Sequence, residues 1–225
     1  MVRWGHFGTP LLLFPSAGGD YEEIERFHLV RALTTLIEAG RIKVFSVDGS
    51  AARAWLRGTS PAAECARVQG LYDSYIDEEV VPLIRRDVQS DSVELVAAGA
   101  AIGACSAVSA ACRHPEIFRA ALGLSGIFDL SRYLPGGSAP ELRAAVPLYG
   151  LPALEDEARL RDLRRRFIHV ASGEGDYEQP AESQRLAEGL AARGIPHQLE
   201  LWGRDFAHCW GSWHQMLPRT LAPHI

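Results

Sequence analysis

The sequence predicts an α/β architecture, a mostly parallel sheet with helices on both faces, and three observations carry that expectation. Short apolar runs alternate with longer stretches of helical period along all 225 residues. The runs are continuously apolar and rich in Val, Ile, Leu and Phe, as strands covered on both faces require. At 47% apolar and 23% charged residues the chain can build one sizeable core. No linker or internal repeat divides it, so one domain over residues 1–225 is expected.

In chain order, Leu11–Phe14, Ile42–Val47, Val93–Ala98, Ala120–Leu124, Phe167–Ala171 and Gln198–Trp202 read as strands bounded by turn residues. Val2–Phe7 adds an antiparallel edge strand joined through a Gly8-Thr9-Pro10 turn. Asp20-Tyr-Glu-Glu23 has the form of a capping box and opens a helix whose face is Ile24, Phe27, Leu33, Leu36 and Ile37, stopped by Gly40. Residues 62–87 form a second helical stretch that Pro82 bends or breaks. Ala104–Arg113 is rich in small residues, as a helix packed closely on a sheet would be. Glu155–Arg166, Pro180–Arg193 and Gly211–Leu221 complete the helices. The least regular stretch, 133–154, carries Pro135-Gly-Gly-Ser-Ala-Pro140, Pro147 and Pro152 and is expected to be a lid over a site at the strand ends.

Composition removes several classes of function. A net charge of −5 lacks the cation excess that nucleic-acid binding needs. The basic run Arg159–Arg166 closes a helix opened by Glu155-Asp156-Glu157 and complements its dipole. Lys43, the only lysine, lies in a strand, which argues against Schiff-base chemistry. Cys65, Cys105, Cys112 and Cys209 show no metal spacing and read as reduced, small core residues. The eight histidines form no H-E-x-x-H, so no metal is expected. There is no dinucleotide or phosphate-loop fingerprint, hence no cofactor. No apolar run approaches a bilayer span, and the N-terminus lacks signal-peptide order. A cytoplasmic protein with no membrane partner is expected; no signal sets an oligomeric state.

The informative stretch is Val93-Glu-Leu-Val-Ala-Ala98-Gly99-Ala100-Ala101-Ile102-Gly103, which reads as strand, tight glycine turn and helix. In that context G-x-S-x-G lifts a nucleophilic serine above the sheet edge. The spacing is kept, Gly99 to Gly103, but the central residue is Ala101. Ser172-Gly-Glu174-Gly-Asp176 follows one later strand, and Gly203-Arg-Asp205-Phe-Ala-His208 follows the next. An acid and then a histidine in those loops can converge at the carboxyl edge. Asp176 is the favoured orienting acid, with Glu174 and Asp205 as competitors, and His208 the favoured base. The oxyanion donors would be the N–H groups of Ile102 and of Ala17, in the loop Ser16-Ala17-Gly18-Gly19. Ser16, Gly18, Ser125 and Trp210 are further candidates to line the substrate, and Trp55 and Trp213 candidate apolar walls. Cys105 and Ser125 are weaker alternatives for the nucleophile.

In these features the chain resembles the putative-esterase branch of the α/β-hydrolase superfamily, which includes esterase D-like enzymes (S-formylglutathione hydrolases) and mycolyltransferases. Further matches are Phe14-Pro15-Ser16-Ala17-Gly18-Gly19, Arg113-His114-Pro115-Glu116-Ile-Phe118, Leu124-Ser125-Gly126-Ile-Phe-Asp129, and the His208 loop with Trp210 and Trp213. The resemblance implies an α/β-hydrolase fold and a Ser-Asp-His mechanism on positions 101, 176 and 208. The substrate would be a small-molecule or peptide ester or another acyl compound. Hydrolysis, acyl transfer and peptide cleavage share this machinery. Ala101 departs from the pattern at the residue that forms the covalent bond. It is either a deliberate Ser-to-Ala inactivation of a serine esterase or the mark of a non-catalytic binding relative. The retained acid, base and donor loop favour the former.

Overall fold

A computed structural model describes residues 1–135 and 140–225, apart from the side chain of residue 144. Seven strands form one sheet: β1 (Val2–Trp4), β2 (Thr9–Phe14), β3 (Ile42–Ser46), β4 (Leu95–Ala100), β5 (Phe118–Leu124), β6 (Phe167–Ser172) and β7 (His197–Leu201). The order is β1-β3-β2-β4-β5-β6-β7, with β1 antiparallel to β3 and all other pairs parallel. The alternation inside β2 divides the core. Leu12 and Phe14 join Phe45, Ala97 and Val108 on one face, while Leu11 and Leu13 join Val44, Val96 and Leu122 on the other.

Helices cover both faces. Residues 20–40 are not one helix but three pieces, α1 (Glu23–Arg26), α2 (Leu29–Ala32) and α3 (Thr34–Glu38). The first break has a cause: His28 is left-handed (φ 64°), and the Phe27 carbonyl is taken by the His214 ring at 2.7 Å. Asp20 does cap locally, accepting the Glu22 N–H at 2.9 Å, but Glu23 does not reach back to it. Next come α4 (Ser50–Leu56), which the sequence reading did not anticipate, and α5 (Ala62–Tyr75). A π-helical turn at Ile76–Val80 leads into α6 (Val81–Asp87). Pro82 has no N–H to continue the ordinary ladder, and the preceding turn widens rather than breaks. Trp55, on α4, is fully buried with its ring N–H on Gln69 at 3.3 Å, so it belongs to the core and not to a substrate wall.

The helix after β4, α7 (Ile102–Arg113), packs on β4 and β5 through its alanines. The described part of 133–154 is more regular than its prolines suggest: it contains α8 (Leu142–Ala145) and α9 (Pro147–Gly150), packed against α5, α7 and α11. Positions 136–139 of the Pro135–Pro140 stretch lie outside the described residues. The last helices are α10 (Glu157–Leu163), N-capped by the Asp156 carboxylate, α11 (Pro180–Ala192) and α12 (Trp210–Leu221). No helix among the described residues is long and apolar enough to cross a membrane.

Strand boundaries move from the sequence expectation for physical reasons. β4 runs two residues further because Gly99 still pairs with Phe14 on one side and Gly123 on the other. Thr9 and Pro10 belong to β2, pairing with Ile42 and Lys43, rather than to a turn.

Candidate active site

The carboxyl edge of the sheet concentrates backbone strain. Among the described residues six non-glycine positions have positive φ, and four of them follow the ends of strands: Ala17 after β2, Ala101 after β4, Ser125 after β5 and Tyr177 after β6. Such residues cost on the order of 1–3 kcal/mol each and persist where the surroundings over-determine them.

Ala101 is the sharpest of these, at φ 54° and ψ −124° between β4 and α7. Its N–H donates to the Leu124 carbonyl at 3.0 Å, and its carbonyl accepts the Ile127 N–H at 3.0 Å. The two flanking glycines are sterically required. A Cβ on Gly99 would stand 2.3 Å from the Gly103 carbonyl oxygen, and one on Gly103 would stand 2.5 Å from that of Phe14. The bend thus rests on close backbone packing, and the Ala101 methyl is 95% buried within it, at 5% exposure.

The donor loop after β2 is clamped from two sides. The buried Glu23 carboxylate accepts the Ser16 N–H at 2.7 Å and the Ser16 hydroxyl at 3.1 Å. Burial raises the Glu23 carboxyl above its usual range, partly opposed by those Ser16 hydrogen bonds. Arg53 donates to the Gly18 carbonyl at 2.9 Å from the other side and pairs with Asp48. Ser16 therefore spends both of its donors on Glu23 and has none for a substrate. The N–H groups of Ala17 and Ile102, by contrast, meet no acceptor among the described residues.

His208 lies in the loop between β7 and α12. Its N–H donates to the Asp176 main-chain carbonyl at 2.9 Å, and its ring stands edge-on to Trp213 with centroids 5.2 Å apart. The Asp176 carboxylate is on an exposed residue, as are those of Glu174 and Asp205. The carboxylate facing the ring is that of Glu178, with Oε2 3.9 Å from His208 Nδ1. The Glu178 side chain is 1% exposed and accepts hydroxyl hydrogen bonds from Ser172 at 3.2 Å and from Ser125. The Ser125 hydroxyl is thus committed to the buried Glu178 carboxylate. Sequence reading stopped at the first acids of the turn. The signal for Glu178 was its place immediately before the Gln179-Pro180 start of α11, which holds the residue against the strand ends.

Around the His208 ring, Trp210 packs edge-on to Trp213 and stacks on Phe27, the Trp210–Phe27 centroids 4.8 Å apart and their planes 4° from parallel. Cys209 is exposed at the start of α12, not a core residue. Hydrogen bonding from the Ser212 N–H lowers its thiol. Cys105 packs inward and burial pushes its thiol up to about 12, so it is no substitute nucleophile. Among the other histidines, His114 pairs with Asp73 at 3.2 Å and His169 with Glu200 at 3.0 Å.

A family model described as putative esterase matches residues 21–224. Among solved structures, the chain is similar to a ferulic acid esterase (18% identical, TM-score 0.67, covering 95% of this chain and 85% of that one). It is also similar to an S-formylglutathione hydrolase from Agrobacterium tumefaciens (15% identical, TM-score 0.69, covering 97% and 84%). A third is fluorophosphonate-binding serine hydrolase F of Staphylococcus aureus (17% identical, TM-score 0.68, covering 99% and 84%). At these identities the likeness carries the α/β-hydrolase fold. No curated protein matches the chain by sequence.

Proposed function

Because this chain belongs to the putative esterase family, which its residues 21–224 match, we propose that its carboxyl edge is a serine-esterase site with alanine at the nucleophile position. The observation that carries the reading is the Ala101 bend, held between Gly99 and Gly103 with a backbone geometry that no alanine adopts without compulsion.

In this proposal a serine at 101 attacks the ester carbonyl. His208 takes its proton through Nε2, the ring nitrogen opposite the one that faces Glu178. The developing oxyanion accepts hydrogen bonds from the Ile102 and Ala17 N–H groups. The proton on His208 leaves with the alcohol, and water then attacks the acyl-enzyme by the same route. Glu178 orients the imidazole by closing the 3.9 Å gap when substrate tightens the site. It takes the role expected of Asp176, whose main-chain carbonyl accepts the His208 N–H instead.

The test is Ala101→Ser, with hydrolysis of p-nitrophenyl acetate and butyrate and labelling by a fluorophosphonate probe as readouts. Loss of a nucleophile in such sites costs about 10⁶ in kcat, so the variant is expected to gain at least about 10³-fold. Within that background, Glu178→Gln should remove most of the gain and Asp176→Asn little of it. The alanine itself favours a second reading, an ester- or acyl-binding protein without turnover. That reading predicts a folded Ala101→Ser variant that neither labels nor hydrolyses.

A further inference from the structure

A cavity of about 660 Å³ lies away from the strand ends. It lies between the second half of α7 and the segment running from α8 to α10. On the α7 side it is lined by Ser109, Cys112 and Arg113, which are 8–12 residues beyond Ala101. At 1.5 Å per helical residue that is about 12–18 Å along the axis from the bend. It is therefore separate from the site of the proposed chemistry.

Its walls have two characters. Val146, Leu151 and Leu154, with the alanines and Pro147 between them, supply a continuous apolar surface. The charged residues at its mouth are not equivalent. Arg113 is already held by Asp73 at 3.4 Å. The Asp156 carboxylate is turned onto the Ala158 and Arg159 N–H groups at 3.0 Å each, where it caps α10. Arg143 and Arg159 have no hydrogen-bonded or ion-paired acid for their guanidinium groups among the described residues, leaving Glu155 as the uncommitted carboxylate on the lining. The distinguishing feature of the lining is that these two guanidinium groups hold no carboxylate by hydrogen bond among the described residues, and a guanidinium is suited to a planar, bidentate anion.

We infer that this cavity binds a small amphiphilic carboxylate, its apolar body against Val146, Leu151 and Leu154 and its carboxylate on Arg143 and Arg159. The volume falls within the range of pockets that enclose small organic ligands. The site joins α7 to α8–α10, so its occupant ties the elbow helix to the segment packed over it.

The test uses the chain as it stands and needs no turnover, so it succeeds or fails independently of the esterase reading. Decanoate is titrated by calorimetry, with decan-1-ol as the neutral counterpart. Saturable decanoate binding is expected, at least tenfold weaker in Arg143→Gln/Arg159→Gln and in Ala153→Trp. The latter fills the cavity from an exposed position. His208→Ala should leave the affinity unchanged, and decanol should bind at least tenfold more weakly than decanoate. The inference is overturned by absence of saturable binding, by equal affinity for decanol, by an affinity indifferent to the paired arginine change, or by loss of binding in His208→Ala.

Discussion

Glu23 offers the sharpest test of how the donor loop is held. Replacing it with alanine leaves the Ser16 N–H buried without an acceptor, since Ser16 is 7% exposed and Glu23 5%. A buried donor stripped of its partner costs about 1–3 kcal/mol, and the lost buried methylene adds about 0.8 kcal/mol. Relief of the carboxylate's own desolvation, visible in its raised carboxyl, offsets part of this. A net loss of about 2–3 kcal/mol follows, or roughly 5–10 °C in Tm for a chain of this size. Glu23→Gln should differ, because its amide oxygen can accept the Ser16 N–H while its NH₂ donates to the Ser16 hydroxyl, keeping the loss under about 1 kcal/mol. The pH dependence has a definite sign. A carboxyl raised in the folded state contributes stability present below its unfolded value of about 4.5 and lost as pH rises through the folded value. The stability of Glu23→Gln relative to the unaltered protein should therefore improve with rising pH across that window and then level off. Urea melts of the three proteins between pH 4 and 8 measure all of this. A Glu23→Ala variant as stable as the parent would refute the clamp, as would a Gln variant as damaged as the Ala one.

Three other outcomes are expected. Gly103→Ala should destabilise by about 1–3 kcal/mol in denaturant melts despite alanine's better helix propensity, because its Cβ would press on the Phe14 and Pro15 carbonyls at 2.5 and 2.6 Å. Iodoacetamide at neutral pH, followed by mass spectrometry, should modify Cys209 well before Cys105 and Cys112, whose thiols burial pushes up to about 12. Asp73 raises the His114 imidazole chiefly by hydrogen bonding, so the pair's stability is full below about pH 6.5 and lost as pH rises through the raised value. Melts from pH 6 to 9 should show that loss flattened in His114→Gln.

The sheet was legible because both faces of its central strands are covered, so Leu11–Phe14 or Phe167–Ala171 could only be continuous apolar runs. What the residues could not reveal was decided by distant partners. The helix from Asp20 to Gly40 has a sound local pattern, yet α12 takes the Phe27 carbonyl through His214 and stacks Trp210 on the Phe27 ring, and the helix breaks there. Glu23 looked like a capping residue and is instead the anchor of Ser16. The Ala101 bend and the His208 loop could be proposed from the sequence because glycine spacing and strand order are local signals. The carboxylate that faces the His208 ring could not, because Asp176, Glu174 and Glu178 occupy one turn and only burial distinguishes them. Trp55 likewise reads equally as an apolar wall or as core until α4, which has no strong local signal of its own, buries it against Gln69.

Ala101 also separates two things that a serine at that point would confound. The turn is imposed by glycine contacts and by amide bonds to Leu124 and Ile127, none of which involves a hydroxyl. Chemistry at the vertex can thus be added or withdrawn while the scaffold stays as it is. In the genetic code serine and alanine are neighbours by a single base change. On the proposed reading, one mutational step would therefore add or withdraw the reacting group while the contacts that shape the turn stay in place.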